Sequence, residues 1–143
     1  MADESNQSNQ PNAPKPALLL DNDLFFSVKV TDTLKHAGYA TTTLRGAEAF
    51  ARALSGEQQW TLALVNTAAN RIDWRAAIVA ASRAHIPVIA YGPHVDLQAA
   101  DEARNLGATV AVSNSRLASD LPGIVARALR RQSESGPERE SSP

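Results

Sequence analysis

The stretch Ala17-Leu18-Leu19-Leu20-Asp21-Asn22-Asp23 decides the fold of this chain. Its apolar run ends abruptly in a short acidic cluster, and a helical pattern begins at once with Leu24. Buried parallel strands are continuous apolar runs of this kind, and open α/β sheets bind their ligands just beyond the carboxyl ends of such strands. We therefore expect Asp21, Asn22 and Asp23 to lie at the edge of a parallel sheet where a functional site would be found.

Strand patterns alternate with helical patterns along the rest of the chain. Apolar or β-branched runs predict strands at residues 18–20, 39–44, 60–65, 86–91 and 108–112. Helical stripes follow them at 24–37, 46–54, 74–81, 97–106 and 121–129, with Asp96 and Ser119 as N-cap candidates for the last two. This order predicts an α/β fold, a five-stranded doubly wound parallel sheet between two layers of helices.

The composition limits the possible classes of protein. The net charge is −1, which lacks the basic excess of a nucleic-acid-binding surface. Cysteine is absent, so disulfides and thiolate metal sites are excluded. Residues 1–16 lack the apolar core of a signal peptide, and no run is long enough to span a bilayer. We expect a cytoplasmic protein with one domain at residues 17–131 and disordered tails at 1–16 and 132–143.

Residues 17–131 resemble the receiver domain of bacterial response regulators, which has the flavodoxin-like fold. The stretch at 18–23 is similar to the first strand and acidic cluster of that family. The other local matches are Gly38-Tyr39 after the first helix, Asp73 after the third strand, Ile86-Pro87-Val88-Ile89-Ala90 in the fourth strand and Asn105-Leu106-Gly107-Ala108 before the fifth. Trp74 stands where the family commonly has a glycine after that aspartate.

The resemblance implies a phosphorylation pocket that has lost most of its chemical groups. A working receiver uses an aspartate that attacks phosphorus, carboxylates that hold Mg²⁺, a lysine, a hydroxyl residue and a switch aromatic. Position by position, the family pattern places the following residues there: Asp21 as the one matched carboxylate, Asn22 for the second acid, Asp23 at a variable position, Asn66 for the phosphorylated aspartate, Gly92 for the hydroxyl residue, Asn114 for the lysine and Ala111 for the aromatic.

These substitutions predict a degenerate receiver, or pseudo-receiver, that is neither an enzyme nor a phosphorylation switch. An amide is no nucleophile for phosphoryl transfer, and one aspartate with amides is a poor cage for Mg²⁺. We expect no cofactor and no metal, and a stand-alone protein-interaction module of two-component or phosphorelay signalling. The resemblance places its partner face at about residues 97–131, where a homodimer is also possible, with no nucleic acid and no membrane among its partners.

Several features allow other interpretations. Asn66 can simply hydrogen-bond the following loop at 67–70. The neutral pocket around Asn66, Gly92 and Asn114, together with Ser113, could instead bind a small molecule, which would make the chain a sensor. A catalytic role has no support, because Ser113, His94 and Asp21 carry no signature of a triad.

Three further groups have structural explanations that we prefer. His94 and Asp96 could begin a metal site, but a helix-capping role is the simpler interpretation. Trp60 and Trp74 are expected to pack, although Trp74 could cover the pocket. The arginines at 127, 130 and 131 suit the carboxyl end of the last helix, where they interact favourably with its dipole.

Overall fold

The computed structural model describes residues 13–93 and 96–134. Most of the two predicted tails, and His94, lie outside these ranges. Within them the chain alternates strands and helices: β1 (Lys15–Leu20), α1 (Leu24–His36), β2 (Tyr39–Leu44), α2 (Ala47–Leu54), β3 (Leu62–Asn66), α3 (Trp74–Arg83), β4 (Val88–Gly92), α4 (Leu97–Leu106), β5 (Val110–Ser113), α5 (Asn114–Ser119) and α6 (Leu121–Glu134).

The strands form one five-stranded sheet in the order β2-β1-β3-β4-β5. Every neighbouring pair is parallel. From β1 the sheet extends to β2 on one side and to β3, β4 and β5 on the other, so the connections change direction between β1 and β3. Ligand sites in such sheets lie at this switch point, beyond the carboxyl ends of the strands. The predicted fold class is confirmed.

The two faces of the sheet carry separate apolar cores. Successive residues of β1 point to opposite faces, so Leu18 and Leu20 pack on one side and Ala17 and Leu19 on the other, all fully buried. Helices α2, α3 and α4 cover the first side, and α1, α5 and α6 cover the second. A strand that is buried on both faces needs an uninterrupted apolar run, which is why the leucines of β1 do not alternate with polar residues.

Aspartates begin three of the helices. The carboxylate of Asp23 accepts a hydrogen bond from the amide of Phe26 at 3.0 Å, and Asp73 caps α3 in the same way through Ala76 at 3.1 Å. Asp96 accepts from the amide of Ala99 at 3.0 Å, so its predicted capping role is confirmed. Each cap satisfies one backbone donor that the first helical turn leaves without a partner.

The carboxyl-terminal region differs from the sequence prediction. The short helix α5 was not predicted, and Ser119 ends it instead of capping the last helix, so that prediction was wrong. The Ser119 hydroxyl donates to the carbonyl of Arg116 at 3.2 Å. Helix α6 continues three residues past the predicted domain boundary at 131, and the Thr109 hydroxyl donates to Gln132 there at 3.2 Å.

Both tryptophans have structural roles in the described part of the chain. Trp60 donates from its indole nitrogen to the carbonyl of Ala53 at 3.0 Å, which joins the start of the third strand region to α2. Trp74, the first residue of α3, is buried in the core, and the Arg75 guanidinium lies 4.4 Å from the centre of its ring. Among residues 13–93 and 96–134, no helix combines the length and the apolar character that a bilayer crossing requires.

Candidate functional site

Three polar side chains lie in one row across neighbouring strands at the carboxyl edge of the sheet. Leu20 of β1 pairs with Val65 of β3, so Asp21 follows at the level of Asn66. Asn66 in turn pairs with Tyr91 of β4. Residues at the same level of parallel neighbours point to the same face of a sheet, so these three side chains converge. Asp21 and Asn66 are buried polar residues, with 1% and 8% of their surface exposed.

Both oxygens of the Asp21 carboxylate accept hydrogen bonds from the chain itself. Its Oδ1 atom accepts from the Asp23 amide at 2.9 Å and from the Asn66 side-chain amide at 3.0 Å. Its Oδ2 atom accepts from the Tyr91 hydroxyl at 2.5 Å. Hydrogen bonds to a charged acceptor are short and strong, and they compensate for the loss of hydration when a carboxylate is buried.

Asn66 connects this carboxylate to the loop after β3. Its nitrogen donates to Asp21, while its Oδ1 atom accepts from the amide of Ala68 at 2.8 Å. An aspartate at this position could accept from Ala68 but could not donate to Asp21. The loop-bonding interpretation of Asn66 is therefore confirmed, and the same side chain also completes the donor set around the carboxylate.

Tyr91 brings an apolar ring and a polar hydroxyl to the same place. The ring is buried and lies 5.5 Å, between centroids, from the ring of Phe26 in α1. Burial, and then the negative charge and hydrogen bond of Asp21, raise the pKa of the Tyr91 hydroxyl far above its ordinary value. The hydroxyl therefore keeps its proton and remains a donor to Asp21 across the physiological pH range.

The other two residues of the acidic cluster serve local structure. The Asn22 side chain is exposed and donates from Nδ2 to the carbonyl of Asn70 at 2.8 Å, which fastens the loop after β1 to the loop after β3. Asp23 caps α1 with its carboxylate, so that carboxylate is already engaged at the helix terminus. Of the three residues 21–23, Asp21 alone directs its side chain into the buried network.

Gly92 lies one residue beyond Tyr91, against the side chain of Thr67. A Cβ atom at position 92 would be 2.5 Å from the Thr67 hydroxyl oxygen, which is closer than such atoms approach. Thr67 itself donates both its backbone amide, at 2.8 Å, and its hydroxyl, at 3.3 Å, to the carbonyl of Tyr91. The glycine thus leaves room for a threonine that holds the end of β4.

Asn114 begins α5 at the same edge of the sheet, since its neighbour Ser113 pairs with Gly92. In the described residues no hydrogen bond joins its side chain to Asp21 or Asn66. Its Oδ1 atom is buried and has no hydrogen-bond partner among them. The structure therefore brings Asp21 and Asn66 into contact but leaves Asn114 outside their network.

A cavity of about 170 Å³ lies between β5 and α4, beside the network. The small residues Gly92 and Ala111 form part of its wall, together with Thr67, Leu97 and Ser113. Asn66 and Asn114 do not line it. The space that a small-molecule sensor would use is thus displaced from the asparagines toward α4 and β5.

The residues of the network do not fit the Mg²⁺ ion that the receiver fold implies. Mg²⁺ needs oxygen ligands with free lone pairs, usually from more than one carboxylate. Both Asp21 oxygens face N–H or O–H donors, and Asn66 presents its nitrogen to Asp21 while its oxygen is bonded to Ala68. Across residues 13–93 and 96–134, no group of three or more histidine, cysteine, aspartate or glutamate side chains could hold a metal.

Sequence reasoning missed two residues of this site, Tyr91 and Thr67. The signal for Tyr91 was its position in register with Asn66, because aligned carboxyl ends of parallel strands place both on one face. Its hydroxyl is also the one polar group within the aliphatic run Val88–Gly92. Thr67 had no comparable signal, because its role depends on the close approach of Gly92.

No family model and no curated protein matches this sequence. Solved structures do match the fold. The receiver domain protein (CheY-like) from Methanospirillum hungatei has a TM-score of 0.73 at 18% identity, over 87% of this chain and 100% of that one. The N-terminal domain of a response regulator/sensory box/GGDEF 3-domain protein from Carboxydothermus hydrogenoformans has 0.73 at 22%, over 85% and 98%. The receiver domain of NtrX from Brucella abortus has 0.70 at 21%, over 80% and 98%. The chain therefore has the flavodoxin-like fold of response-regulator receiver domains.

Proposed function

We propose that this chain is a pseudo-receiver, a protein-interaction module of bacterial two-component or phosphorelay signalling that works without phosphorylation and without Mg²⁺. It is not an enzyme in this proposal, and it acts in the cytoplasm. The observation that carries the proposal is the buried carboxylate of Asp21, both oxygens of which accept hydrogen bonds from the chain, from Asn66, Tyr91 and the Asp23 amide. The position that would accept a phosphoryl group holds an amide, and the adjacent carboxylate is buried, with hydrogen-bond donors from the chain on both of its oxygens.

The same network favours one fixed conformation. A receiver that switches needs two arrangements of the end of β4 with similar free energies. Here Tyr91 is held through its hydroxyl by Asp21, and its carbonyl accepts two hydrogen bonds from Thr67. These bonds stabilise a single arrangement, so the protein would present its partner surface constitutively. The partner surface in this proposal is the face formed by α4, β5, α5 and α6 as far as residue 131, at about residues 97–131.

A small-molecule sensor is the second candidate, and the 170 Å³ cavity beside Gly92 and Ala111 favours it. The cavity is smaller than most ligand sites, which have volumes of about 300–1,000 Å³. A thermal-shift screen with nucleotides and metabolites tests this candidate directly. A saturable rise in the unfolding temperature that Ala111→Leu abolishes would support the sensor.

Phosphorylation chemistry tests the main proposal. The purified protein is incubated with acetyl phosphate and Mg²⁺, and intact-mass spectrometry measures the fraction that carries one additional phosphoryl group. An ordinary receiver domain with an aspartate at the end of β3 serves as the positive control in the same buffer. We expect no adduct on this chain under conditions that modify the control, and a stoichiometric adduct would overturn the proposal.

The interaction part needs a separate measurement. Immobilised protein captures partners from lysate of the source organism, with and without acetyl phosphate and Mg²⁺, and quantitative mass spectrometry compares the two sets. A module that works without phosphate retains the same partners in the same amounts. Partners that bind only after phosphodonor treatment would contradict the proposal.

A further inference from the structure

We propose that the cleft between β5 and the last two helices binds an acidic segment of a partner protein, with Arg116 and Arg127 taking its carboxylates. This inference rests on the proposed interaction function and specifies the chemistry of the partner. The cleft is an open groove of about 530 Å³, with strand residues on one side and polar and cationic residues on the other: Ala111, Val112, Ser113, Ser115, Arg116, Ser119 and Arg127.

The two arginines of this cleft have no anionic partner in the described part of the chain. Its ion pairs there are those of His36, Arg75 and Arg104, which lie elsewhere. The Nε atom of Arg127 is buried and makes no hydrogen bond. A buried donor without a partner costs free energy, and an incoming carboxylate would remove this cost through a bidentate contact.

Asp120, Asp101 and Glu102 make no ion pair with either arginine of the cleft. Asp120 is the nearest acid in sequence to Arg116, but its carboxylate lies against Gly123 at the start of α6, where a Cβ atom would be 2.6 Å from both of its oxygens. Asp101 pairs with Arg104 at 2.6 Å, and Glu102 pairs with Arg75 at 2.6 Å. The cleft therefore carries two uncompensated positive charges that complement an anionic ligand.

The serines supply further polar contacts. Ser115 lies within 3.3 Å of the Ser113 hydroxyl, between their oxygens, and Ser113 also accepts from the amide of Arg116 at 3.1 Å. Ser119 has its hydroxyl directed to the carbonyl of Arg116. A serine hydroxyl can rotate about its C–O bond, so these three residues of the cleft can turn to donate to a carboxylate.

A second cavity, lined by apolar residues together with Thr67, Asp96, Arg104 and Ser113, adjoins the cleft across β5. Ala111, Val112 and Ser113 line both, because β5 is an edge strand with the cleft on one side and the 170 Å³ cavity on the other. A buried cavity of about 150 Å³ holds a benzene molecule, so this volume matches one aromatic or branched side chain. Leu97 lines the cavity and has 72% of its surface exposed, so a ligand in the cavity could cover it.

This adjacency favours a peptide over a small free anion. A phosphate or a single carboxylate could satisfy the arginines, but it would leave the adjoining cavity and Leu97 uncovered. A polypeptide segment could place an aromatic or leucine side chain in the cavity and, at the same time, bind the two arginines with neighbouring aspartates or glutamates. Buried apolar anchors with a charged rim are the usual arrangement of peptide-binding surfaces.

The test selects peptides without assuming their sequence. A displayed library of random dodecapeptides is selected on the immobilised full chain, and one enriched peptide is synthesised with a fluorescent label. We expect aspartate or glutamate beside an aromatic residue or leucine in the enriched sequences. Enrichment of neutral or basic sequences, or of no sequence, would overturn the inference.

Fluorescence anisotropy then measures the affinity of the labelled peptide for matched charge variants. We expect Arg116→Glu with Arg127→Glu to weaken binding by at least about tenfold, because two charge-assisted hydrogen-bonded contacts are lost. The control changes Arg52→Glu and Arg83→Glu, which alters the net charge equally on α2 and α3 at the other face of the sheet. Equal weakening by both pairs would overturn the inference, since it would indicate a response to net charge alone.

Two further arms separate the possible outcomes. Ala111→Leu narrows the wall that both cavities share, and we expect it to weaken the peptide while circular dichroism shows the fold unchanged. Inorganic phosphate should compete only in large excess, and full displacement by an equimolar amount would assign the cleft to a small anion instead. Failure of all peptides would leave the phosphodonor result untouched, so loss of this inference is distinguishable from loss of the proposed function.

Discussion

The Tyr91 hydroxyl donates a 2.5 Å hydrogen bond to Asp21 Oδ2, between residues that are 70 positions apart in the sequence. The bond links β4 to the end of β1 across β3, which lies between them in the sheet. The bond uses one carboxylate oxygen, and Asn66 and the Asp23 amide use the other. The Asp21 carboxylate, which lies at the edge of the site, therefore has a structural role in holding the ends of β1 and β4 together.

Tyr91→Phe removes the hydroxyl, which is the donor that the described residues supply to the buried Oδ2 atom of Asp21. We expect the free energy of unfolding to fall by about 2 kcal/mol, since hydrogen bonds to charged groups contribute about 1.5–3 kcal/mol. Urea denaturation monitored by tryptophan fluorescence measures this change. The slope of the unfolding free energy with urea should not change, because the fold remains the same.

Tyr39→Phe is the matched control for that variant. Tyr39 is also buried, but its hydroxyl makes no hydrogen bond within the described residues, and its ring contacts the Lys15 ammonium. We expect a change within about 0.5 kcal/mol, as for substitutions that remove no specific interaction. Equal losses for the two variants would show that the Asp21 bond contributes nothing beyond burial.

The raised pKa of Tyr91 predicts a dependence of stability on alkaline pH. A folded-state pKa above the unfolded value of about 10 means that the native protein holds a proton which the unfolded chain releases. The contribution of the Tyr91 hydroxyl to the free energy of unfolding is fully present below pH 10, and it is lost as the pH rises toward the pKa of the folded state. We therefore expect the unfolding free-energy difference between wild type and Tyr91→Phe to shrink, by up to about 1.4 kcal/mol per pH unit, above pH 10.

Burial also raises the pKa of Tyr39, so the wild-type curve alone contains two tyrosine contributions. Comparing wild type with Tyr91→Phe at each pH cancels the part from Tyr39 and from the lysines. Chemical denaturation at pH 8, 9, 10 and about 11 gives the comparison. A difference that stays constant across this range would contradict the assignment of the raised pKa to Tyr91.

The fold followed from the sequence because its strongest signals are local. The bounds of β2 and α4 agree with the predicted ones, since a β-branched run and an amphipathic stripe are decided by neighbouring residues. Helix α5 was missed for the same reason. It buries one residue, Leu117, among residues that favour caps and turns, so six residues give no repeating apolar pattern.

The site was predictable only in part, because its network depends on register between distant strands. The resemblance to receivers identified Asp21 and Asn66 as neighbours, and they are in contact. The donor from Tyr91 required knowledge of which β4 residue lies level with Asn66. The role of Thr67 required a distance to an atom that Gly92 lacks, which no sequence pattern contains.

Asn66→Asp restores the residue type that a phosphorylated receiver carries at this position. It replaces the donor to Asp21 with a second carboxylate at about the same 3.0 Å separation. Repulsion between like charges raises the pKa of the new carboxyl above the unfolded value of about 3.9. We expect a loss of about 1–3 kcal/mol in unfolding free energy at pH 7, measured by urea denaturation.

The pH dependence of this loss identifies its cause. Because the pKa of the new carboxyl is raised in the folded protein, the repulsion is absent below about pH 4, where the carboxyl is protonated, and it grows as the pH rises. The free energy of unfolding of the variant should therefore approach that of wild type under acidic conditions. Millimolar Mg²⁺ should raise the unfolding temperature of Asn66→Asp, whose two carboxylates suit a hard cation, and leave wild type unchanged. A loss that does not vary with pH would point to packing instead of charge.

Gly92→Ala tests whether any side chain fits at the position where a working receiver carries its hydroxyl residue. The added Cβ atom would lie 2.5 Å from the Thr67 hydroxyl, so Thr67 must rotate and give up its bond to the carbonyl of Tyr91. We expect a loss of about 1–3 kcal/mol in unfolding free energy, the usual cost of overpacking. Gly56→Ala is the control, because its Cβ would meet its nearest atom at an ordinary 3.6 Å.

The double variant Gly92→Ala with Thr67→Ala shows whether this one contact accounts for the loss. Removing the threonine hydroxyl clears the space, so the two substitutions together should cost less than the sum of the single variants by about 1 kcal/mol or more. Urea denaturation of all four proteins completes the cycle. Strictly additive losses would mean that position 92 needs glycine for a reason other than Thr67, and the account of how β4 ends at this site would then be wrong.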